Sequence, residues 1–319
     1  MNFRNPKNIE NIFRGKNMVD IKEIKSIEIV PYTLMTSSVS AVWAFIYAIF
    51  TLILGLIPFA ISPTPVNSAA LWFYIASIVS SPVTSFILGV LQSFLFALIY
   101  NLLVPKLGGI KLGLENLSEI KSIPVLPFAL ITSAISAIFV LIVALIIMPL
   151  VAAYIPVVSQ VMSSLPLNGT TIPTESISAF GAFGVIGSIL SIIILPIVMF
   201  VCVFIVSAIS AWLYNLLAPR TGGIKLEFAP AQKNMYEILS LSPVHLALIT
   251  ALIAAIWGII FGIIAIIISA IYGAVVVGAI MLVMFTIMFL ISVFIVYAIL
   301  ALIYNFLRPR IGGIKLELQ

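Results

Sequence analysis

The residues with the most chemistry in this sequence sit in one phrase that is written three times. It reads Tyr100-Asn101-Leu102, Pro105-Lys106 and Gly108-Gly109-Ile110-Lys111-Leu112. It returns as Tyr214-Asn215-Leu216, Pro219-Arg220 and Gly222-Gly223-Ile224-Lys225-Leu226, then as Tyr304-Asn305-Phe306, Pro309-Arg310 and Gly312-Gly313-Ile314-Lys315-Leu316. A glycine pair beside a lysine has the parts of a phosphate cradle, backbone N–H groups plus a cation. The spaced glycines and Lys-Ser/Thr ending of a P-loop are missing, so the phrase reads as a turn. Tyrosine at the end of an apolar run suits the headgroup level of a bilayer, proline stops a helix, and two glycines permit a reversal. The cations of the phrase, Lys106, Lys111, Arg220, Lys225, Arg310 and Lys315, are then candidate contacts for lipid headgroups.

Little else in the chain is equipped for catalysis. The single histidine, His245, stands where the other copies have Pro31 and Pro127, and reads as an interfacial substitution. The single cysteine, Cys202, lies inside an apolar run, which rules out an intramolecular disulfide and a cysteine metal site. The apolar runs contain no Asp, Glu, Lys or Arg. Ion-coupled transporters usually keep such groups in the membrane, metal sites need clustered ligands, and acid–base chemistry needs a paired partner. The sequence therefore predicts no catalytic residue, no metal, no cofactor and no enzyme.

The elements that position the phrase follow from composition. Of 319 residues 63% are hydrophobic and 8% charged, and mean hydropathy is +1.31; soluble domains carry about a quarter charged residues. This is the composition of a multi-pass membrane protein. The net charge of +5 does not indicate nucleic acid, because of where the charges lie. Glu23-Ile24-Lys25-Ser26-Ile27 recurs as Glu119-Ile120-Lys121-Ser122-Ile123, and more loosely as Glu237-Ile238-Leu239-Ser240-Leu241. Thr36, Thr132 and Thr250 fall in the same alignment, as do Trp43, Phe139 and Trp257. The chain thus divides into a polar N-terminal segment, 1–22, and three repeats at 23–115, 119–228 and 237–319. Within the first segment Ile9, Ile12 and Phe13 have the spacing of an interfacial helix.

Each repeat holds two apolar runs at least as long as the ~20 residues needed to cross a bilayer. They lie at 31–56 and 84–104, 127–151 and 187–218, and 245–268 and 277–307. The expected fold is an all-α integral membrane protein of six transmembrane helices. These form three tandem helical hairpins in a pseudo-threefold arrangement, since repeats with an even number of spans all point the same way. After each glycine pair apolar and polar residues alternate, which predicts short cytoplasmic β-strands. Ile110, Leu112, Ile224, Leu226, Ile314 and Leu316 would face inward and the lysines outward. Pairing is expected with the stretches 27–30 and 123–125, Pro124 confining the latter to an edge.

All 15 Lys and Arg fall before the first run or in the segments after the second, fourth and sixth runs. The positive-inside rule makes that face cytoplasmic, with both termini on it, in a cell membrane. The opposite connectors, 58–82, 152–183 and 269–276, carry Glu175 as their only charged residue. Short surface helices are expected there at 71–78 and 155–162, and Asn168-Gly169-Thr170 has the form of a glycosylation acceptor.

Small residues recur every four positions in the first helix of each repeat: Thr36, Ser40, Ala44, Ala48; Thr132, Ser136, Val140, Ala144; Thr250, Ala254, Gly258, Gly262. Such stripes let helix backbones pack closely. The other reading has Thr36, Thr132 and Thr250 as a ring on a central pathway. One unit also resembles an uncharacterised family of small two-span prokaryotic membrane proteins that end in Tyr-Asn-Leu and Gly-Gly-Ile-Glu-Leu. The resemblance rests on Tyr100, Asn101, Gly108, Gly109, Ile110 and their counterparts, while Lys111, Lys225 and Lys315 depart from it. It implies the two-span topology and no activity. The function expected is a membrane scaffold or accessory subunit. Its cytoplasmic face would bind a protein partner or anionic lipid of the cytoplasmic leaflet, not nucleic acid. The alternative is a pore for a neutral or small solute.

Overall fold

The computed structural model describes residues 19–61, 68–164, 174–232 and 234–319. The N-terminal segment before Val19 and the sequon at Asn168 lie outside them. Among the described residues six helices, all long and apolar enough to cross a membrane, carry the chain. They are α1 (Ile29–Ile61), α2 (Ser68–Leu107), α3 (Val125–Ser164), α4 (Thr174–Thr221), α5 (Pro243–Ile271) and α6 (Val275–Ile311). The shortest has 29 residues and the longest 48. At 1.5 Å per residue each exceeds the ~30 Å hydrocarbon core, so the helices tilt or project beyond it. The sequence places separate surface helices at 71–78 and 155–162. Both stretches are instead the outer ends of α2 and α3, which run on without a break.

Consecutive helices pair into three hairpins, α1 with α2, α3 with α4 and α5 with α6. The hairpins also close on one another: α2 meets α3, α4 meets α5, and α6 returns to α1. The small-residue stripe serves this packing. Ala48, Ala144 and Gly262, equivalent in the three repeats, are all buried. In α5, Gly258 and Gly262 lie against the backbone of Phe285, Thr286 and Leu282 in α6.

Among the described residues six strands, not three, gather at one end of the helices. They are β1 (Val19–Ile27), β2 (Lys111–Glu115), β3 (Glu119–Ser122), β4 (Ile224–Gln232), β5 (Met235–Leu241) and β6 (Lys315–Leu318). All neighbours are antiparallel and β6 returns to β1, giving a closed barrel. Closure leaves no row of unpaired backbone groups. It also corrects the expected edge at Pro124, which sits between β3 and α3 rather than in a strand. The partner strand ends at Ser122, before the predicted 123–125 stretch, and β1 begins well before residue 27. β1 serves two neighbours in sequence: Val19–Glu23 pair with β2, and Ile24–Ile27 pair with β6, with a bulge between Ile24 and Ser26. The seam between β3 and β4 is the shortest, with only Glu119 opposite Lys225 and Ile120 opposite Ile224.

The alternation read from the sequence is realised in part: Leu112, Leu226 and Leu316 turn inward, whereas Ile110, Ile224 and Ile314 are half-buried and pack against the core from its side. Leu112, Leu114, Ile120, Leu226, Leu316 and Leu318 are buried and join one apolar core with Tyr100, Tyr214, Ile131 and Ile249. Lys111 and Lys315 are half-buried and Lys225 exposed. A barrel of so few strands is narrow enough for side chains to fill it. Each fully buried Leu contributes about 1.5–3 kcal/mol. The tightest packing therefore lies where strands and helices meet, and most large side chains farther along the helices are left for lipid.

Candidate functional site

The repeated phrase builds a joint between barrel and helices, and the joint consumes most of its polar groups. Each second helix returns to the barrel through the glycine pair, and each first helix leaves directly from a strand. The helix does not stop at proline as predicted. Pro105, Pro219 and Pro309 lie inside α2, α4 and α6, two residues before their ends. The stop comes at the first glycine: Gly108, Gly222 and Gly312 have φ of 80°, 74° and 83°, a conformation that suits glycine. The second glycine answers a different need. A Cβ on Gly109, Gly223 or Gly313 would fall on the carbonyl oxygen of Ile24, Ile120 or Ile238 in the neighbouring strand.

Tyrosine is not an interfacial anchor here. Tyr100, Tyr214 and Tyr304 are buried, at 0%, 3% and 4% exposure. The Tyr100 hydroxyl donates to the Ile24 carbonyl at 2.7 Å and accepts from the Ile110 N–H at 3.0 Å. Tyr214 does the same with Ile120 (2.5 Å) and Ile224 (3.0 Å). Tyr304 does it with Ile238 (2.7 Å) and Ile314 (3.1 Å). Each hydroxyl thus bridges two adjacent strands from beneath, satisfying backbone groups that burial would otherwise leave unpaired.

Asparagine works beside it. Asn101 Oδ1 accepts from the Ile27 N–H at 2.8 Å and Nδ2 donates to the Ile27 carbonyl at 2.9 Å. Asn215 holds Ile123 in the same way (2.7 and 2.8 Å), and Asn305 holds Leu241 (2.9 and 2.8 Å). A carboxamide presents the same donor and acceptor as a peptide, so each Asn extends its strand by one residue pair.

A carboxylate completes the joint. Glu23, Glu119 and Glu237 accept the N–H of Gly109, Gly223 and Gly313 at 2.7, 2.8 and 2.9 Å. The anion position beside the glycine pair is therefore filled by the chain's own side chain, which explains why it is no phosphate cradle. Lys25 lies 2.9 Å from Glu23, and Lys121 lies 2.6 Å from Glu119. The third repeat has Leu239 where the others have these lysines, and its cation comes from elsewhere. Arg308, in the position of Val104 and Ala218, reaches Glu237 at 3.0 Å.

The Gly109 N–H, ahead of the opposing cost of burial and helped by Lys25, holds the Glu23 carboxyl below the usual value. Burial pushes Glu119 up, but Lys121 and the Gly223 N–H outweigh it, and the net shift is downward. Carboxyls lowered by folding contribute stability that is present above their unfolded value, near 4.5, and is lost as pH falls through the folded values. Thermal unfolding in detergent should accordingly be flat from neutral pH down to about 5 and then decline. In the Glu23→Gln/Glu119→Gln variant the melting temperature should start lower, and the acid decline should shrink. An unchanged acid limb would remove these two groups from the account.

One complete joint, with Glu119, Tyr214, Asn215 and Gly223, now defines the stretch from β3 to β4. Residues 115–230 match a transmembrane domain of unknown function, DUF3566. The DUF3566 match opens on the last residue of β2, encloses β3, α3 and α4, and ends within β4. No curated protein and no solved structure matches the chain.

The remaining predicted site residues are placed as follows. Lys106, Arg220 and Arg310 occupy the same position in the last turns of α2, α4 and α6, and all three are exposed. Arg220 donates to the Leu216 carbonyl at 3.1 Å. Arg310 donates to the Phe306 carbonyl and lies over the Phe306 ring. Lys315 pairs with Glu28 at 3.5 Å. Thr36, Thr132 and Thr250 each donate at 2.7 Å to a carbonyl of their own helix, those of Tyr32, Phe128 and Leu246. Thr36 lines a groove between α1 and α2, whereas Thr250 lines a separate cleft with Ser210 of α4 and Tyr297 of α6. His245 lies at the start of α5 with Nδ1 2.9 Å from the Ser242 hydroxyl. Among the described residues no three His, Cys, Asp or Glu side chains group closely enough to share a metal ion. The roles of Glu23, Glu119 and Glu237 were not apparent from sequence, although their fixed place at the head of every repeat was the signal.

Proposed function

We propose that this chain is a non-enzymatic membrane scaffold whose barrel face lies on the cytoplasmic side and meets the anionic headgroups of that leaflet. The observation that carries this reading is the recurrence of an exposed cation, Lys106, Arg220 or Arg310, at the barrel end of every return helix. Among the described residues none of the three is paired with a carboxylate, whereas Lys25, Lys121 and Arg308 of the joints are. Cations without a carboxylate partner at helix ends beside a membrane surface are available for lipid phosphates, each adding about 1 kcal/mol. The repeated joint and the closed ring of hairpins support a pseudo-threefold arrangement that sets these cations around the barrel. The apolar filling of the barrel by Leu114, Leu226 and Leu318 favours a scaffold over the alternative of a solute pore running through it.

Reconstitution into nanodiscs of neutral or anionic lipid tests the proposal. Anionic lipid should raise the melting temperature of the unaltered chain. The Lys106→Gln/Arg220→Gln/Arg310→Gln variant should fold in neutral lipid and lose most of that gain. An equal gain in the variant would refute the lipid contact.

A further inference from the structure

The exposed side chain least suited to its surroundings is Gln92. It lies in α2, 15 residues before the helix ends at Leu107. At 1.5 Å per residue that is about 22 Å from the barrel end, inside a hydrocarbon core ~30 Å thick. Its side chain is exposed and forms no hydrogen bond among the described residues. It shares a groove with Thr36, Ser40 and Ser93, whose hydroxyls donate to the carbonyls of Tyr32, Thr36 and Gly89 of their own helices and none of which is bonded to the amide. The other repeats have valine in the same position, Val206 and Val296, so the common fold does not require an amide there. An amide facing lipid tails without a partner is strongly disfavoured.

We propose that Gln92 is the contact through which two copies of this chain pair within the membrane. A carboxamide is donor and acceptor at once, so it can bond its own kind reciprocally. A twofold axis along the membrane normal places Gln92 of both copies at one depth, a match that no unrelated helix is bound to offer. Gly89 lies against Ser37 of α1 and Ser93 is buried, so the surface a second copy would meet around Gln92 is that of the exposed Leu88 and Leu91. The inference stands apart from the lipid reading above, since the contact lies far from the barrel-end cations.

The chain supplies its own control. Leu88, one turn from Gln92, is exposed and is the repeat equivalent of Cys202, which is exposed too. In liposomes at high lipid dilution, the Leu88→Cys/Cys202→Ser variant should form a disulfide-linked dimer on mild oxidation. The unaltered chain, with Cys202 alone, should not. Adding Gln92→Val, the residue native to the other repeats, should abolish the cross-link while leaving the melting temperature nearly unchanged. Subunit counting by single-molecule photobleaching should show the dimer dissociation constant rising roughly tenfold in Gln92→Val. Equal cross-linking through Cys202, a dimer unaffected by Gln92→Val, or a purified chain that stays monomeric at every lipid ratio would each overturn the proposal. Recovery of the 88-position cross-link only to a different protein in native membranes would overturn it as well.

Discussion

Gly223→Ala is expected to cost the protein its fold, while Gly222→Ala next to it costs little. At Gly222 the demand is conformational: φ is 74°, and an added Cβ would meet the His245 ring at 3.4 Å and the Lys225 side chain at 3.9 Å, both ordinary contacts. Alanine in that left-handed region loses about 1–2 kcal/mol. At Gly223 the demand is for space, because the added carbon would lie 1.8 Å from the backbone oxygen of Ile120. A backbone atom cannot turn aside as a side chain can. Relief requires β3 and β4 to part, breaking the Glu119–Lys225 and Ile120–Ile224 pairs and the Tyr214 bridge between them. The loss should be about 3 kcal/mol or more, the upper end for overpacking. Yield of monodisperse protein in detergent and its melting temperature check this. If the two variants melt together, the close approach at Gly223 is not what sets the joint.

Membrane class, six spans and hairpin pairing were legible because hydrophobic run length and the placement of 15 basic residues answer directly to the bilayer. The strands after the glycine pairs were legible for a similar reason, since Leu112, Leu226 and Leu316 alternate with lysines. Barrel closure was not. β1 changes partner halfway along, between Glu23 and Ile24 and just ahead of a bulge, and no local pattern reports a switch of neighbours. The tyrosines were misread for a physical reason. An amphipathic ring at the end of an apolar run suits a headgroup region. It suits equally the underside of a barrel, and only closure of the barrel over Tyr100, Tyr214 and Tyr304 decides between them. Proline misled too. A proline removes one N–H near a helix end, but it stops the helix only if the next residues cannot continue, and here glycine marks the end three residues later.

The joints carry the same side chains, yet they should not be equally costly to damage. Tyr214→Phe removes the donor to the Ile120 carbonyl and the acceptor for the Ile224 N–H, leaving two buried backbone groups unpaired. At about 1–3 kcal/mol for each such group, the expected loss is about 2–6 kcal/mol. Tyr100→Phe removes the matching pair, at Ile24 and Ile110. Around Tyr100, however, β1 and β2 remain joined by five residue pairs, from Val19–Glu115 to Glu23–Lys111. Around Tyr214 the seam keeps two pairs and the Leu226 N–H to Ser118 carbonyl bond. Strands held so briefly cannot relax around two orphaned groups without separating. Tyr214→Phe should therefore lower the melting temperature more than Tyr100→Phe, and amide exchange should locate the difference. Protection at Ile224 and Lys225 should collapse in Tyr214→Phe, while Lys111 and Leu112 in Tyr100→Phe keep most of theirs. Equal losses in both variants would show that the hydroxyl bridge, not the length of the ladder, sets the strength of each seam.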